Sequence, residues 1–268
     1  MAKIRLDQYL LDHAFAESRE KAKAMIMEGI VYVNGQKSDK PGHTVAEDSS
    51  VEVRGAVLPY VSRGGLKLEK ALRTFPVSAR DKICLDCGAS TGGFTDVLLQ
   101  NGAAKVYAVD VGYGQLAWKL RNDPRVLSLE RTNARYLTRE QIPDPIDLVV
   151  MDASFISLRL LFPAMVSLMK ENADLICLIK PQFEAGRENV GKKGVVRDKS
   201  VHIAVLRDVL DFAPTVGLYP QELDYSPIRG PEGNIEYICH MTNRMEEEKP
   251  FDLVQIVEDS HRSFEQGD

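Results

Sequence analysis

Residues 83–94 read ICLDCGASTGGF, a short apolar run that closes on an acid and breaks into a turn of small residues. An apolar run of this length, ended by glycines, fits a strand buried on both faces of a parallel sheet. The turn Gly88-Ala-Ser90-Thr-Gly92-Gly93 then gives way to a helical pattern over 93–101. Ligands of open α/β sheets bind beyond the carboxyl ends of strands, where small residues let the backbone come close. Asp86, Gly88, Ser90, Gly92 and Gly93 are therefore candidates to hold a cofactor.

Downstream, strand and helix patterns alternate. Strands are predicted at 83–87, 105–110, 126–129, 147–152 and 174–180, with helices at 93–101, 115–121, 138–141 and 157–170 between them. A helix over 199–213 and two longer strands, 218–225 and 235–242, follow as an antiparallel edge. The fold class is α/β, a mostly parallel sheet covered on both faces. Asp110 closes the second strand, where such folds hydrogen-bond a ribose. Asn133, after the third, is a candidate contact on the adenine side.

Upstream the pattern is different. Ile4, Leu6, Tyr9 and Leu10 fall on one face of a helix predicted over 4–13. Ser18 is a good cap for a second helix over 18–28, which Gly29 ends. Val31-Tyr-Val33 before Asn34-Gly35 predicts a hairpin, and 49–54 a further strand. This small α+β module is expected to span 1–58, followed by a linker at 59–65, the main domain at 66–245 and a polar tail at 246–268. An amphipathic helix, 66–75, opens the main domain.

Composition excludes some classes and leaves others open. No run of about 18 apolar residues exists, so no transmembrane helix is predicted. The opening MAKIRLDQYL lacks the apolar stretch of a secretory signal. The four cysteines lack a disulfide framework spacing, so the expected compartment is the cytoplasm. Net charge is −5, and residues 1–40 carry seven Lys and Arg against six Asp and Glu. Bulk charge thus makes no case for nucleic acid, and any basic face must come from placement.

The glycine turn has several readings. A nicotinamide site calls for G-x-G-x-x-G, whereas Asp86 followed by G-x-S-x-G-G suits an amino-acid end and a ribose without a pyrophosphate. S-adenosylmethionine is the better match. Gly88 to Gly92 also spells G-x-S-x-G, which would make Ser90 a nucleophile if His202 or His240 could serve it. Cys84-Leu-Asp-Cys87 matches C-x-x-C, but a strand puts such a pair on opposite faces, which favours core packing over redox chemistry or metal.

Four polar residues stand out by position: Asp152 and Lys180 end apolar strands, Glu236 lies in the last strands, and Lys67, in SRGGLKLEK, lies just before the alternating strand–helix pattern of the main domain. Charges desolvated beside a cofactor turn are poor choices for stability alone. A ribose hydroxyl must be oriented and relieved of its proton before it can take an activated methyl. Lys180 is the candidate base, Lys67 its like-charged neighbour, and Asp152 and Glu236 orient them. No metal is required.

With RLDQYL, SREKA, GIVYVNG, YVSRGGLKL, LDCGASTGGFTD, VYAVDVGYGQL, VVMDASFISL, LIKPQFE, VGKKGVVRD and SPIRGPEGNIEY in order over residues 1 to about 243, the chain resembles the TlyA family of 2′-O-ribose methyltransferases. The resemblance implies an S4-like RNA-binding domain joined to an FtsJ-like catalytic domain of the Rossmann-like, class I S-adenosylmethionine-dependent fold. It implies a Lys-Asp-Lys-Glu tetrad at Lys67, Asp152, Lys180 and Glu236, with Asp152 also beside the cofactor. It implies cytidines of 16S and 23S ribosomal RNA, or of 23S alone, as substrates, met within ribosomal subunits; the residues leave a monomer and a weak dimer both open. It places Arg5, Ser18, Arg19, Lys23, Asn34 and Lys37 on the RNA-facing side of the small module. The family also carries hemolysin names, so a membrane-active protein and a non-catalytic RNA binder are the rival readings. The charged, glycine-containing loop 184–198 is expected to close over the substrate.

Overall fold

The computed structural model describes residues 3–27, 29–54, 58–245 and 250–265. The chain divides into two compact units, Met1–Arg63 and Gly64–Asp268.

In the first unit, β1 (Lys3–Arg5) leads into α1 (Leu6–Asp12), and α2 (Arg19–Met27) packs against it. The hairpin β2 (Val31–Val33) and β3 (Gln36–Lys37) is followed by β4 (Thr44–Ala46) and β5 (Val51–Val53). Asn34 and Gly35 both have positive φ, +50° and +77°, as a two-residue hairpin turn of matched twist demands. The Ser18 hydroxyl caps α2 by accepting from Lys21 N at 3.1 Å. The helix predicted from residue 4 starts two residues later, because Ile4 is extended and pairs with Val45 of β4. Two β-branched residues facing each other across a short ladder win over helical periodicity there. Leu6, Leu10, Ala22, Met25, Ile26 and Val31 form the core of this unit. Glu28, the predicted end of the second helix, lies outside the described residues, as do 55–57 at the end of the expected module and 246–249 and 266–268 of the expected tail.

The second unit opens with α3 (Gly65–Thr74). Then come β6 (Ile83–Cys87), α4 (Gly93–Gln100), β7 (Lys105–Val109), α5 (Trp118–Arg121), β8 (Val126–Leu129), β9 (Ile146–Met151), α6 (Phe162–Leu168) and β10 (Met169–Ile179). The chain continues through α7 (Pro181–Glu184), α8 (Lys199–Phe212), β11 (Tyr219–Tyr225), β12 (Tyr237–Thr242) and α9 (Leu253–Glu265). The sheet order is β11-β12-β10-β9-β6-β7-β8. β8 through β10 run parallel, and β12 is inserted antiparallel between β10 and β11. The chain steps outward in opposite directions from β6 and β9, which leaves a crevice between their carboxyl ends.

Three predicted helices are corrected. The one expected over 115–121 shrinks to Trp118–Arg121, since Gly112 and Gly114 precede it and Gly114 has φ +70°. No α-helix forms at 138–141; a 3₁₀ turn, Ala134–Tyr136, stands before it. The helix expected over 157–170 stops at Leu168, because Met169 pairs in register with Ile146 and already belongs to β10. The tail is more than polar: Leu253, Ile256, Val257 and Phe264 recur at helical spacing and pack on the main core, with Val257 fully buried.

Candidate active site

The carboxyl ends of β6, β7, β8 and β9 surround a cavity of about 360 Å³. Gly88 shapes it. With φ +86°, a side chain there would come within 2.9 Å of Asp152 O and 3.1 Å of Ala153 Cα, so only glycine lets the first turn lie against the end of β9. Ser90, Asp110, Asn133 and Asp152 line the cavity with Gln115, Thr132, Ser154, Phe155, Ile156 and Leu161. The Asp110 carboxylate is fixed by two backbone donors, Ser90 N at 2.8 Å and Gly112 N at 2.7 Å. The Asn133 side-chain oxygen accepts from Arg135 N at 3.1 Å, which leaves its NH₂ as the free end.

Three expected cofactor contacts stand behind this wall. Asp86 is fully buried and accepts from Thr95 Oγ1 of α4 at 2.6 Å. Gly92, at φ +96°, faces Leu116 and Leu120, and Gly93 is the buried first residue of α4. The sequence places these residues near the turn, but strand and helix periodicity turn them to its inner side. Burial, aided by the nearby Asp152 charge, pushes the Asp86 carboxyl up to about 7. Its Oδ1 is buried with no hydrogen-bond partner among the described residues.

This donor and acceptor set fits S-adenosylmethionine. Asp110 suits the ribose hydroxyls, the Asn133 amide an adenine edge, and the orphaned Asp86 oxygen a cationic amino group reached directly or through water. Gln115, Thr132, Ser154 and Phe155 were not singled out in the sequence. Gln115 lies within the quoted stretch VYAVDVGYGQL, and Ser154 and Phe155 within VVMDASFISL, whereas Thr132 lies in no quoted stretch.

Beside the cavity the four expected polar residues come together. Lys67 lies in the first turn of α3, Asp152 follows β9, Lys180 follows β10, and Glu236 precedes β12. Lys180 Nζ lies 2.6 Å from Asp152 Oδ1. It also donates to Ser154 Oγ at 3.0 Å and to Asp152 O at 3.4 Å. Lys67 Nζ donates to Glu236 Oε2 at 2.5 Å and stands 3.9 Å from Asp152 Oδ2. Gln182 Nε2 holds the other Glu236 oxygen at 3.2 Å. Lys67, Lys180 and Glu236 are 5%, 6% and 1% exposed, so charge pairing is what makes their burial tolerable. Lys67 is not a bare like charge facing Lys180: the Asp152 carboxylate lies between the two ammonium groups.

The rival chemistries find no geometry. Ser90 Oγ points to Gln115 Oε1 at 3.3 Å. His202 is bonded to Tyr237 and to Val196 O, and His240 to Asp174. Cys84 and Cys87 are buried, and burial pushes both thiols up to about 12. The loop over 184–198 is bonded to buried Asn234, which accepts from Val196 N at 3.0 Å and donates to Gly194 O at 2.8 Å.

In the first unit, Arg5 and Arg19 converge on Asp7, which accepts from Arg5 Nη2 at 2.9 Å and from Arg19 Nε at 3.1 Å. Hydrogen bonding to Arg5 and Arg19 holds the buried Asp7 carboxyl at about 2. Both guanidinium groups remain half-exposed. Lys23 is exposed one turn along α2 from Arg19. Ser18 is occupied as the cap of α2, the Asn34 side chain accepts from Ser50 N, and the exposed Lys37 lies over Gly29. Asp7 is the organising residue that the sequence did not reveal.

Exposed aromatic side chains stand on the same carboxyl edge of the sheet as the cavity. Phe155 is 90% exposed and packs at 5.0 Å on Phe183. Arg131 and Arg135 lie over the rings of Tyr113 and Tyr136.

Residues 60–243 match the FtsJ-like methyltransferase family and residues 4–51 the S4 domain. The Bacillus subtilis protein YqxC is 50% identical over 98% of this chain and 96% of its own length. A Mycobacterium tuberculosis protein named 16S/23S rRNA (cytidine-2′-O)-methyltransferase TlyA is 43% identical over 98% of each chain. A solved structure from Streptococcus thermophilus, described under the hemolysin name, is 44% identical, with a TM-score of 0.80 and coverage of 100% of this chain and 98% of that one.

Proposed function

Because the chain belongs to the FtsJ-like methyltransferase family and opens with an S4 domain, we propose that it transfers the methyl group of S-adenosylmethionine to a cytidine 2′-hydroxyl of ribosomal RNA, in 16S, 23S or both. The observation that carries this reading is Asp152, which lines the cofactor cavity and pairs with Lys180 at 2.6 Å. It thereby joins the place of the methyl donor to the place of the base.

When bound, S-adenosylmethionine supplies an activated electrophilic methyl. Asp110 and Asn133 hold its nucleoside end, and Gly88 permits its close approach. Asp152 holds the Lys180 side chain and Glu236 the Lys67 ammonium, so that the ribose oxygen meets a preorganised polar site in which Lys180 reacts as its neutral amine. Lys180 takes the 2′-hydroxyl proton as the oxygen gains its methyl. Lys67, tied to Glu236, holds the Asp152 side of the site by charge. The cation–aromatic pairs at Arg131 and Arg135, with Phe155 at the cavity, suit unpaired bases, which stack on such surfaces. Arg5, Arg19 and Lys23 of the S4 domain supply phosphate contacts.

The substrate places the protein in the cytoplasm, acting on ribosomal subunits. Among the described residues no helix is long and apolar enough to cross a membrane. The test incubates purified protein with labelled S-adenosylmethionine and separated ribosomal subunits, then maps 2′-O-methyl groups, with a lysis assay alongside. Methyl transfer that Lys180→Ala abolishes supports the proposal. Lysis that survives this substitution, without methyl transfer, sinks it.

A further inference from the structure

Lys180 can accept a proton only if it has a way to lose one. It is 6% exposed, so bulk water does not relieve it directly. Its ammonium has three N–H donors and three acceptors in reach: Asp152 Oδ1 at 2.6 Å, Asp152 O at 3.4 Å and Ser154 Oγ at 3.0 Å. The carbonyl can only accept. The carboxylate can take a proton only by giving up the charge that pairs with Lys180 and faces Lys67. A hydroxyl alone both accepts and donates without changing charge. Ser154 is exposed and lines the cofactor cavity, so it touches the base on one side and solvent on the other.

We propose that Ser154 is the proton outlet of Lys180, a positioning residue that acts through that lysine. The inference rests on the proposed methyl transfer. In the forward step the 2′-oxygen forms its bond to the methyl carbon as the carbon–sulfur bond breaks. The sulfur keeps the electron pair, and the hydroxyl proton moves to the Lys180 lone pair. In the reset step Lys180 gives a proton to Ser154 Oγ while the serine's own proton passes to water. One proton is released per methyl transferred, and the amine is restored. The hydroxyl also steadies both forms of the lysine, accepting from the ammonium and donating to the neutral amine. Asp152, Lys67 and Glu236 are the charged groups around this step, and none of them needs to change its charge.

The experiment compares full-length wild type, Ser154→Ala and Ser154→Thr in multiple-turnover methyl transfer to ribosomal subunits, at low and high concentrations of imidazole buffer. For Ser154→Ala, kcat is expected to fall by about a hundredfold, the low end for a lost proton-transfer group, with S-adenosylmethionine affinity by calorimetry unchanged. Added imidazole should restore turnover, because a small base replaces the missing acceptor, and Ser154→Thr should keep the wild-type rate. A Ser154→Ala enzyme at wild-type kcat overturns the outlet. So does a loss that neither imidazole nor threonine relieves, or one explained by weakened cofactor binding. A wild-type protein that transfers no methyl overturns the proposed function and this inference together. An active wild type with an unaffected alanine variant overturns the inference alone.

Discussion

Lys67 and Glu236, separated by 169 residues of sequence, meet as a buried 2.5 Å ion pair that ties the first helix of the catalytic unit to its last strand. Neither side chain has enough water around it to stand alone. Glu236→Ala, which leaves the Lys67 ammonium without its nearest anion, is expected to cost about 3 kcal/mol of stability, as broken buried pairs do, and to abolish methyl transfer. Adding Lys67→Met should recover most of the stability and none of the activity. Denaturant unfolding beside a methyl-transfer assay checks both. Equal stability of the wild type and the single variant would refute the argument.

Asp86 predicts a pH dependence. Its carboxyl titrates at about 7 in the folded protein, against 3.8 for the free group. The folded chain therefore holds a proton that the unfolded chain releases. The resulting stability is complete below pH 3.8 and is lost as pH rises towards about 7. Asp86→Asn should flatten this slope and raise the melting temperature at pH 7.5 relative to wild type. Thermal melts at pH 5 and pH 7.5 test it, and identical slopes in both proteins would count against it.

The pair of guanidinium groups on Asp7 predicts a coupled effect on RNA. Arg19→Ala should weaken binding to ribosomal RNA and reduce the salt slope by about one unit. Asp7→Asn keeps both arginines but loosens their grip, so affinity should fall with the slope preserved. Filter binding between low and moderate salt separates these outcomes, and S-adenosylmethionine affinity should not change in either variant.

Phe155 is too exposed to hold the fold together. Phe155→Ala is expected to leave stability within about 0.5 kcal/mol and to cost about 1–3 kcal/mol of RNA binding, the range for a lost stacking platform. The kinetic signature is a raised KM for ribosomal subunits. A melting temperature that drops sharply would show the ring serves packing instead.

Much of this was legible in the residues. The glycine turn after ICLDC pointed to the cavity, and the charges that end apolar strands pointed to Asp152 and Lys180, which the structure pairs at 2.6 Å, because a charge placed where a strand leaves the core must be met by something. What proximity in sequence did not give was sidedness. Asp86 and Cys87 are neighbours, yet the pleat sends one towards Thr95 and the other to the cavity wall. Strands of three residues, such as Lys3–Arg5 and Thr44–Ala46, are too short for periodicity to register. Asp7 became visible as a hub only when β1 and α2 were brought together in space, as did Ser154 beside Lys180.

The insertion of β12 between β10 and β11 bears on the order of events at birth. Translation delivers the S4 unit first, and such a unit generally folds before the rest of the chain has emerged. Glu236 and the strand it precedes come from the last part of the chain. A nascent or prematurely terminated chain would carry Arg5 and Arg19 and lack Glu236, the partner of Lys67. On the proposed function, such a fragment would occupy ribosomal RNA without methylating it, and a frameshift late in the gene would interfere with the intact product rather than merely remove it.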